Sequence, residues 1–127
     1  MVSNELLSAV LDVDSDWFID DITIRDSLVI IDYGQYDGNF DKDVFNIYEL
    51  AHKCKEWANG NGADITSTNR QGIYSNKALA LVDVDWRPDE REIVEATTEP
   101  EAIFKACEWI LQQTNQKEPT SHQNNNS

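Results

Sequence analysis

Residues 77–86 read KALALVDVDW, and this stretch carries the clearest strand pattern in the chain. Its even-numbered positions, from Ala78 to Trp86, are all apolar and would share one face of a strand, because side chains alternate across it. The next residues, RPDE (87–90), place Pro88 where a type I turn favours it, and residues 91–97 return as a partner strand. The pattern predicts an antiparallel β-hairpin.

A helix is predicted on each side of these strands. After the hairpin, Thr98 is a good N-cap residue, and Glu101 three positions later completes a capping box. Earlier in the chain, Asn46 and Glu49 form the same pattern, and the run NGNG at residues 59–62 ends the helix. Apolar residues recur at helical spacing in both segments, so each helix presents one face to a core.

The N-terminal third is predicted to contain a short helix and a second hairpin. Ser3 is a suitable N-cap for a helix that ends at the stretch DVDSD. Residues 17–25 and 28–33 are rich in β-branched and aromatic side chains and are separated by Asp26-Ser27, a turn sequence. Residues 34–43 contain two glycines and are predicted to form a loop, and residues 63–68 form a weaker strand.

The predicted order of elements is α-β-β-α-β-β-β-α, in a single domain over residues 1–113. Hairpins outnumber possible parallel crossovers, which favours an α+β fold with a mainly antiparallel sheet of four to five strands and two to three helices. Residues 114–127 contain no large apolar side chain and cannot offset the entropy of ordering, so a disordered tail is expected. The sequence shows no internal repeat.

Charge is the most unusual property of the chain, because its 127 residues carry a formal net charge of −14. Residues 12–43 hold ten aspartates against two bases, and residues 83–101 hold eight acidic residues against two bases. We call these the first and second acidic segments. Such a surface argues against direct binding to nucleic acid or to anionic membranes, because both require clustered cations.

The two cysteines, Cys54 and Cys107, lie on the apolar faces of the predicted helices and in no C-x-x-C pair. We expect both thiols to be buried, reduced and slow to react. This cysteine usage suits a reducing compartment, and the N-terminus shows no secretory signal, so a cytoplasmic location is expected.

Motifs for metal binding and catalysis are weak. The aspartates that begin at Asp12 and at Asp37 resemble the opening of a calcium loop, but both runs lack the glycine and the glutamate that the loop needs. His52 and Cys54 are two apart on a helix and cannot bind one metal together. Asp83 and Asp85 would point the same way on a strand and offer one possible metal site. We expect no catalytic residue, no metal and no cofactor.

Aromatic residues within the first acidic segment suggest a protein interface, since anchors surrounded by steering charge are typical of such surfaces. The alternative is a hairpin that packs on a helix and has an acidic outer face. The residues predicted to bind a partner are Asp12, Asp14, Asp16, Trp17, Asp20, Asp21, Tyr33, Tyr36, Asp37 and Phe40.

The sequence is consistent with three functions. The first, which we favour, is a small acidic, non-enzymatic binding protein that occupies a basic protein partner, as immunity proteins, antitoxins and inhibitors that mimic DNA do. The second is a metal-assisted hydrolase or nuclease that uses Asp83 and Asp85. The third is a structural accessory protein whose charge only keeps it in solution.

Overall fold

The structure is a computed structural model that describes residues 2–71 and 76–123. Within these residues three helices and six strands follow the order α-β-β-β-α-β-β-β-α. The elements are α1 (Asn4–Val10), β1 (Phe18–Arg25), β2 (Leu28–Gly34), β3 (Phe40–Asn46), α2 (Ile47–Gly60), β4 (Ala63–Gln71), β5 (Asn76–Val84), β6 (Arg87–Ala96) and α3 (Glu99–Gln123).

The strands form two antiparallel sheets of three strands each. Sheet A has the order β1-β2-β3 and sheet B has the order β4-β5-β6. The prediction of an antiparallel α+β fold is confirmed, whereas the prediction of four to five strands is wrong. Each sheet is followed directly by a helix, so the chain repeats a β-β-β-α arrangement that has no counterpart in a visible sequence repeat.

The missing strand lies in the segment predicted to be a loop. Residues 34–43 do contain a tight turn. In this turn the backbone N–H of Gln35 donates to the backbone carbonyl of Asn39 at 2.8 Å, and Gly38 has a positive φ of 98°. The turn ends at Asn39, however, and β3 begins at Phe40 and pairs with β2 in continuous register. The loop prediction failed because the two glycines and Asn39 are turn-forming residues. They obscured the strand pattern that starts at Phe40, in which successive side chains alternate between the two faces of the sheet.

The turn between β5 and β6 also differs from the prediction. It lies at residues 85–86 instead of 87–90, because β5 ends at Val84 and β6 begins at Arg87. The register of the pair shifts between Asp83 and Val84, so Arg87 pairs with Val84 and Arg91 pairs with Asp83. Pro88 lies in the irregularity between these pairs on an edge strand, which is a position where sheets tolerate proline.

The helices join the two sheets into one structure around a common hydrophobic core. Helix α3 contacts all three strands of sheet B and also α2, and α2 contacts both sheets. The buried side chains accordingly come from all three helices and both sheets, and no polar side chain is buried among the described residues. The largest fully buried side chains are Phe104, Leu6, Leu7, Ile31, Leu50, Ile110, Val29, Val82, Cys54 and Cys107.

The three predicted N-caps are confirmed. The side chains of Ser3 and Asn46 accept hydrogen bonds from the first turns of α1 and α2, and Thr98 Oγ1 accepts from the Glu101 amide at 3.3 Å. Ser3 also fixes α1 to α3, because its amide and hydroxyl donate to the Glu108 carboxylate at 2.6 and 2.9 Å. The start of the chain is therefore tied to its last helix.

Helix α3 continues to Gln123 and so includes residues 114–123 of the segment predicted to be disordered. The Thr114 hydroxyl donates to the carbonyls of Ile110 and Leu111 within this helix. Residues 124–127 of the same segment lie outside the described residues. The separation of a domain over residues 1–113 from a tail over residues 114–127 stays a prediction.

The two thiols are expected to react slowly in the folded protein. Cys54 and Cys107 are free and fully buried, and Cys107 Sγ lies 3.5 Å from the Cys54 carbonyl oxygen. Hydrogen bonding to Cys54, and then burial, raise the pKa of Cys107 far above its usual range, so the reactive thiolate is suppressed. Labelling with a thiol reagent should be slow in native protein and rapid in urea. Rapid native labelling would contradict the position of these helices in the core.

Candidate binding surface

A cavity lies between sheet A, helix α2 and the segment that follows α1. Ile19, Val29 and Ile31 are buried on the helix-covered face of this sheet. Tyr33 and Asp43 share that face, since Asp43 pairs with Ile31 and Tyr33 lies two residues beyond Ile31 toward the β2–β3 turn. The cavity has a volume of about 360 Å³, and we call it the sheet A cavity. It is lined by Leu11, Val13, Asp14, Trp17, Tyr33, Asp41, Asp43, Phe45 and Lys53.

The lining combines an apolar and aromatic surface with three carboxylates. Tyr33 Oη donates to Asp43 Oδ2 at 2.9 Å, which orients both groups at the cavity. Among the described residues that line the cavity, Lys53 is the only base, and its Nζ lies 5.8 Å from the centroid of the Phe45 ring. A cation therefore already lies over the aromatic part of the lining, as expected where a ring face and nearby carboxylates both attract positive charge.

The Tyr33 phenol is held in its neutral form. Burial raises the pKa of Tyr33 most, and the hydrogen bond to Asp43 and the negative charges of Asp43 and Asp41 raise it further. Because the folded-state pKa lies above the unfolded value of about 10, this group stabilises the fold below that pH. The contribution is lost as the pH rises through the folded-state pKa.

Ultraviolet absorbance of the tyrosinate, followed against pH, should therefore show one step well above pH ~10. That step is expected to disappear in Tyr33→Phe, while circular dichroism confirms that the protein remains folded over the range compared. A Tyr33 step at the ordinary pH would contradict the environment described for the cavity.

Two aromatic rings are exposed at the connection of β2 and β3, where Tyr36 lies in the turn and Phe40 begins β3. Tyr36 is 92% exposed and Phe40 is 86% exposed. The Tyr36 ring is supported by Phe18, with centroids 5.0 Å apart, and Phe18 in turn lies over Gly34. A Cβ atom at position 34 would come within 2.9 Å of the far end of the Phe18 ring, so a larger residue there would displace this ring.

A second cavity, of about 580 Å³, adjoins the first because both are lined by Tyr33 and Asp41. Its remaining lining residues are Asp20, Asp32, Phe40 and Lys42. The first cavity is lined from the helix-covered face of sheet A, whereas Asp32, Phe40 and Lys42 lie on the opposite face. The two cavities and the exposed turn therefore form a stretch of aromatic and acidic side chains that spans both faces of sheet A at the end next to the β2–β3 turn. We call this stretch the sheet A surface.

The structure brings several of the predicted partner-binding residues together on this surface. Asp14, Trp17 and Tyr33 line the first cavity, and Asp20 and Phe40 line the second. The others lie nearby in the fold: Asp12 and Asp16 in the segment between α1 and β1, Asp21 on β1, and Tyr36 and Asp37 in the β2–β3 turn.

The two acidic segments differ in how their charge is compensated. Among the described residues, no carboxylate of the first acidic segment takes part in an ion pair. In the second segment Asp83 pairs with Arg91 at 2.8 Å, Glu90 with Arg87 at 3.5 Å and Glu95 with Lys77 at 3.8 Å. Since the first segment contributes to sheet A and the second to sheet B, the uncompensated charge concentrates on sheet A.

The structure gives little support to a metal site at Asp83 and Asp85. Asp83 holds Arg91 with both carboxylate oxygens, and Asp85 lies in the turn after β5 instead of on the strand. Within residues 2–71 and 76–123, no group of three or more His, Cys, Asp or Glu side chains is placed to hold a metal ion. His52 lies on the exposed face of α2, where Nε2 is 3.7 Å from the Glu56 carboxylate.

Sequence reasoning did not identify Asp41, Asp43, Phe45 and Lys53 as site residues. The sequence did contain a signal for the first three, because side chains alternate along residues 40–45. Asp41, Asp43 and Phe45 share one face of this strand, and Phe40, Lys42 and Val44 share the other. Lys53 had no such signal, since its place in the cavity depends on how α2 packs against sheet A.

Comparison of the chain with protein-family models, with curated proteins and with solved structures finds no match. None of the described helices is long and apolar enough to cross a membrane.

Proposed function

We propose that the protein is a small acidic, non-enzymatic binding protein that captures a basic protein partner on the sheet A surface. The observation that carries this proposal is the coincidence of uncompensated carboxylates with exposed aromatic rings. Phe40 and Tyr36 are almost fully exposed, and the acidic segment that surrounds them has no ion pair among the described residues.

The unpaired carboxylates would act mainly on the rate of association. A surface of one charge sign steers an oppositely charged partner toward it and raises the association rate, and the effect weakens as salt screens the charges. The screening length is about 8 Å at physiological ionic strength, so the steering depends on salt across the ordinary working range.

The aromatic rings would act mainly on the lifetime of the complex. Interfaces obtain most of their affinity from a few buried anchors, and aromatic residues are enriched among them. Phe40 and Tyr36 stand out from the fold and leave a large apolar area to be buried by a partner. The free, buried cysteines are compatible with action in a reducing compartment such as the cytoplasm.

Affinity capture with two charge-matched variants tests this proposal. The first variant carries Asp→Asn at positions 12, 14, 16, 20 and 21, and we call it the 12–21 variant. Asparagine suits these positions because Asp12 has a positive φ of 52°, which asparagine also tolerates, and because an amide oxygen can still accept the Asp16 amide proton at position 14.

The control removes the same amount of charge from the strands of sheet B and the turn between β5 and β6. It carries Asp64→Asn, Asp85→Asn, Asp89→Asn, Glu90→Gln and Glu92→Gln, and we call it the 64–92 variant. Wild type and the 64–92 variant should capture the same basic protein from cell extract at low salt, and the 12–21 variant should lose it. If all three capture the same proteins, the acidic surface only keeps the protein in solution and the proposal is wrong.

A further inference from the structure

The sheet A cavity is small and chemically specific. Its volume of about 360 Å³ lies at the lower end of the range for ligand pockets, so it suits one side chain better than an extended molecule. Its described lining contains carboxylates from Asp14, Asp41 and Asp43, aromatic rings from Trp17, Tyr33 and Phe45, and the apolar side chains of Leu11 and Val13. This combination fits an occupant that has a cationic head on an apolar stem.

We propose that this cavity receives one arginine side chain of the basic partner. The inference rests on the proposed function and adds to it the chemical group that the surface recognises. Arginine carries a planar cation that stacks on aromatic rings and binds carboxylates through two parallel hydrogen bonds, whereas lysine offers a compact charge without a planar face.

The acidic side of the cavity suits such a fork. Asp41 and Asp43 are two residues apart on β3, so both carboxylates lie on the same face of sheet A and both line the cavity. Tyr33 Oη donates to Asp43 Oδ2, and the Lys42 backbone amide donates to Asp41 Oδ1. The two hydrogen bonds of a guanidinium would therefore go to the second oxygen of each aspartate. The methylene groups of an arginine side chain would lie against the apolar part of the lining.

Lys53 shows where a cation is stable in this cavity. Its ammonium lies over the Phe45 ring, and no other base lines the cavity within residues 2–71 and 76–123. An entering guanidinium would compete with it for the same aromatic and acidic groups. Removing the Lys53 charge should therefore strengthen arginine binding, whereas removing the carboxylates should weaken it.

Two small analogues of the same shape, one charged and one uncharged, test the inference on the whole chain. N-acetyl-arginine amide carries the guanidinium, and N-acetyl-citrulline amide replaces it with a neutral urea group of the same outline. Binding is followed by NMR at the indole N–H of Trp17, which is assigned by its loss in Trp17→Phe. The arginine amide should give a saturable shift, with the citrulline amide at least about tenfold weaker, as expected for charge-assisted hydrogen bonds.

Variants extend the test in both directions. Asp41→Asn with Asp43→Asn should weaken arginine binding about tenfold or more, and Lys53→Met should strengthen it. Asp64→Asn with Asp89→Asn is the matched control and should leave binding unchanged, because both residues lie on sheet B. Equal binding of the two amides, or equal binding by wild type and the double variant at positions 41 and 43, would overturn the inference.

The captured partner separates this inference from the function on which it rests. If the partner binds the variant at positions 41 and 43 as tightly as wild type but fails to bind the 12–21 variant, the arginine inference is wrong and the proposed function stands. If the partner binds the 12–21 variant as well as wild type, the proposed function is wrong regardless of how the arginine amide binds.

Discussion

Phe104→Ala is expected to lower the free energy of unfolding by about 3–5 kcal/mol. Phe104 is the largest of the fully buried side chains, and it lies on α3, the helix that contacts α2 and every strand of sheet B. Truncation removes the transfer free energy of the ring and leaves a cavity that its neighbours fill only in part. Because a domain of this size is stable by only about 5–15 kcal/mol, the variant should unfold at much lower urea concentration.

Ile93→Ala provides the control for this change. Ile93 is a large apolar residue of sheet B, but it is 60% exposed, so its truncation should change the free energy of unfolding by roughly 0.5 kcal/mol. Urea denaturation, followed by circular dichroism, measures the free energy of unfolding of both variants. Equal costs for the two variants would show that Phe104 does not occupy the centre of the core.

Phe40→Ala is expected to weaken binding of the captured partner by ~2 kcal/mol, or about 30-fold in the dissociation constant. The ring is 86% exposed in the free protein and lines the second cavity of the sheet A surface. Its removal should therefore leave the fold unchanged and should appear as faster dissociation of the complex. Surface plasmon resonance measures both rate constants.

Tyr48→Ala is the matched control, because Tyr48 is an exposed aromatic residue that lies on α2, outside the first acidic segment. Its replacement should leave the dissociation rate of the partner unchanged. If Phe40→Ala and Tyr48→Ala have the same effect, Phe40 is not an anchor of the interface.

Local signals in the sequence were sufficient for much of the fold. The hairpin of β1 and β2 was predictable because Asp26-Ser27 separates two strand-forming runs, and the structure has that turn. The N-caps at Ser3, Asn46 and Thr98 were predictable because side-chain capping depends on residues within one turn.

The errors arose where tertiary structure decides between local alternatives. The segment that contains β3 has turn-forming residues followed by Phe40–Asn46, which is mostly exposed, so it lacked the apolar run expected of a strand. The segment forms a strand because its backbone pairs with β2 along its whole length, and its composition alone does not predict this pairing. Pro88 was likewise predicted to lie in a turn because proline is a local turn signal. In the structure it lies on an irregular edge strand, which accommodates proline equally well.

The candidate site was predictable only in part. Trp17, Tyr33 and Phe40 stood out because they are aromatic residues within an acidic segment, and the structure places each beside a cavity. The pairing of the second acidic segment with bases was invisible in the sequence, since the Asp83–Arg91 and Lys77–Glu95 pairs form across strands. These pairs distinguish the two acidic segments and single out sheet A.

The most direct test of the proposed function is the association rate of the captured partner, measured over a series of salt concentrations. Wild type, the 12–21 variant and the 64–92 variant are compared, and the two variants have the same net charge. We predict that wild type and the 64–92 variant associate rapidly at low salt and slow steeply as salt rises, whereas the 12–21 variant associates slowly at every salt concentration. Equal rates and equal salt dependence for the two variants would contradict a binding surface on sheet A.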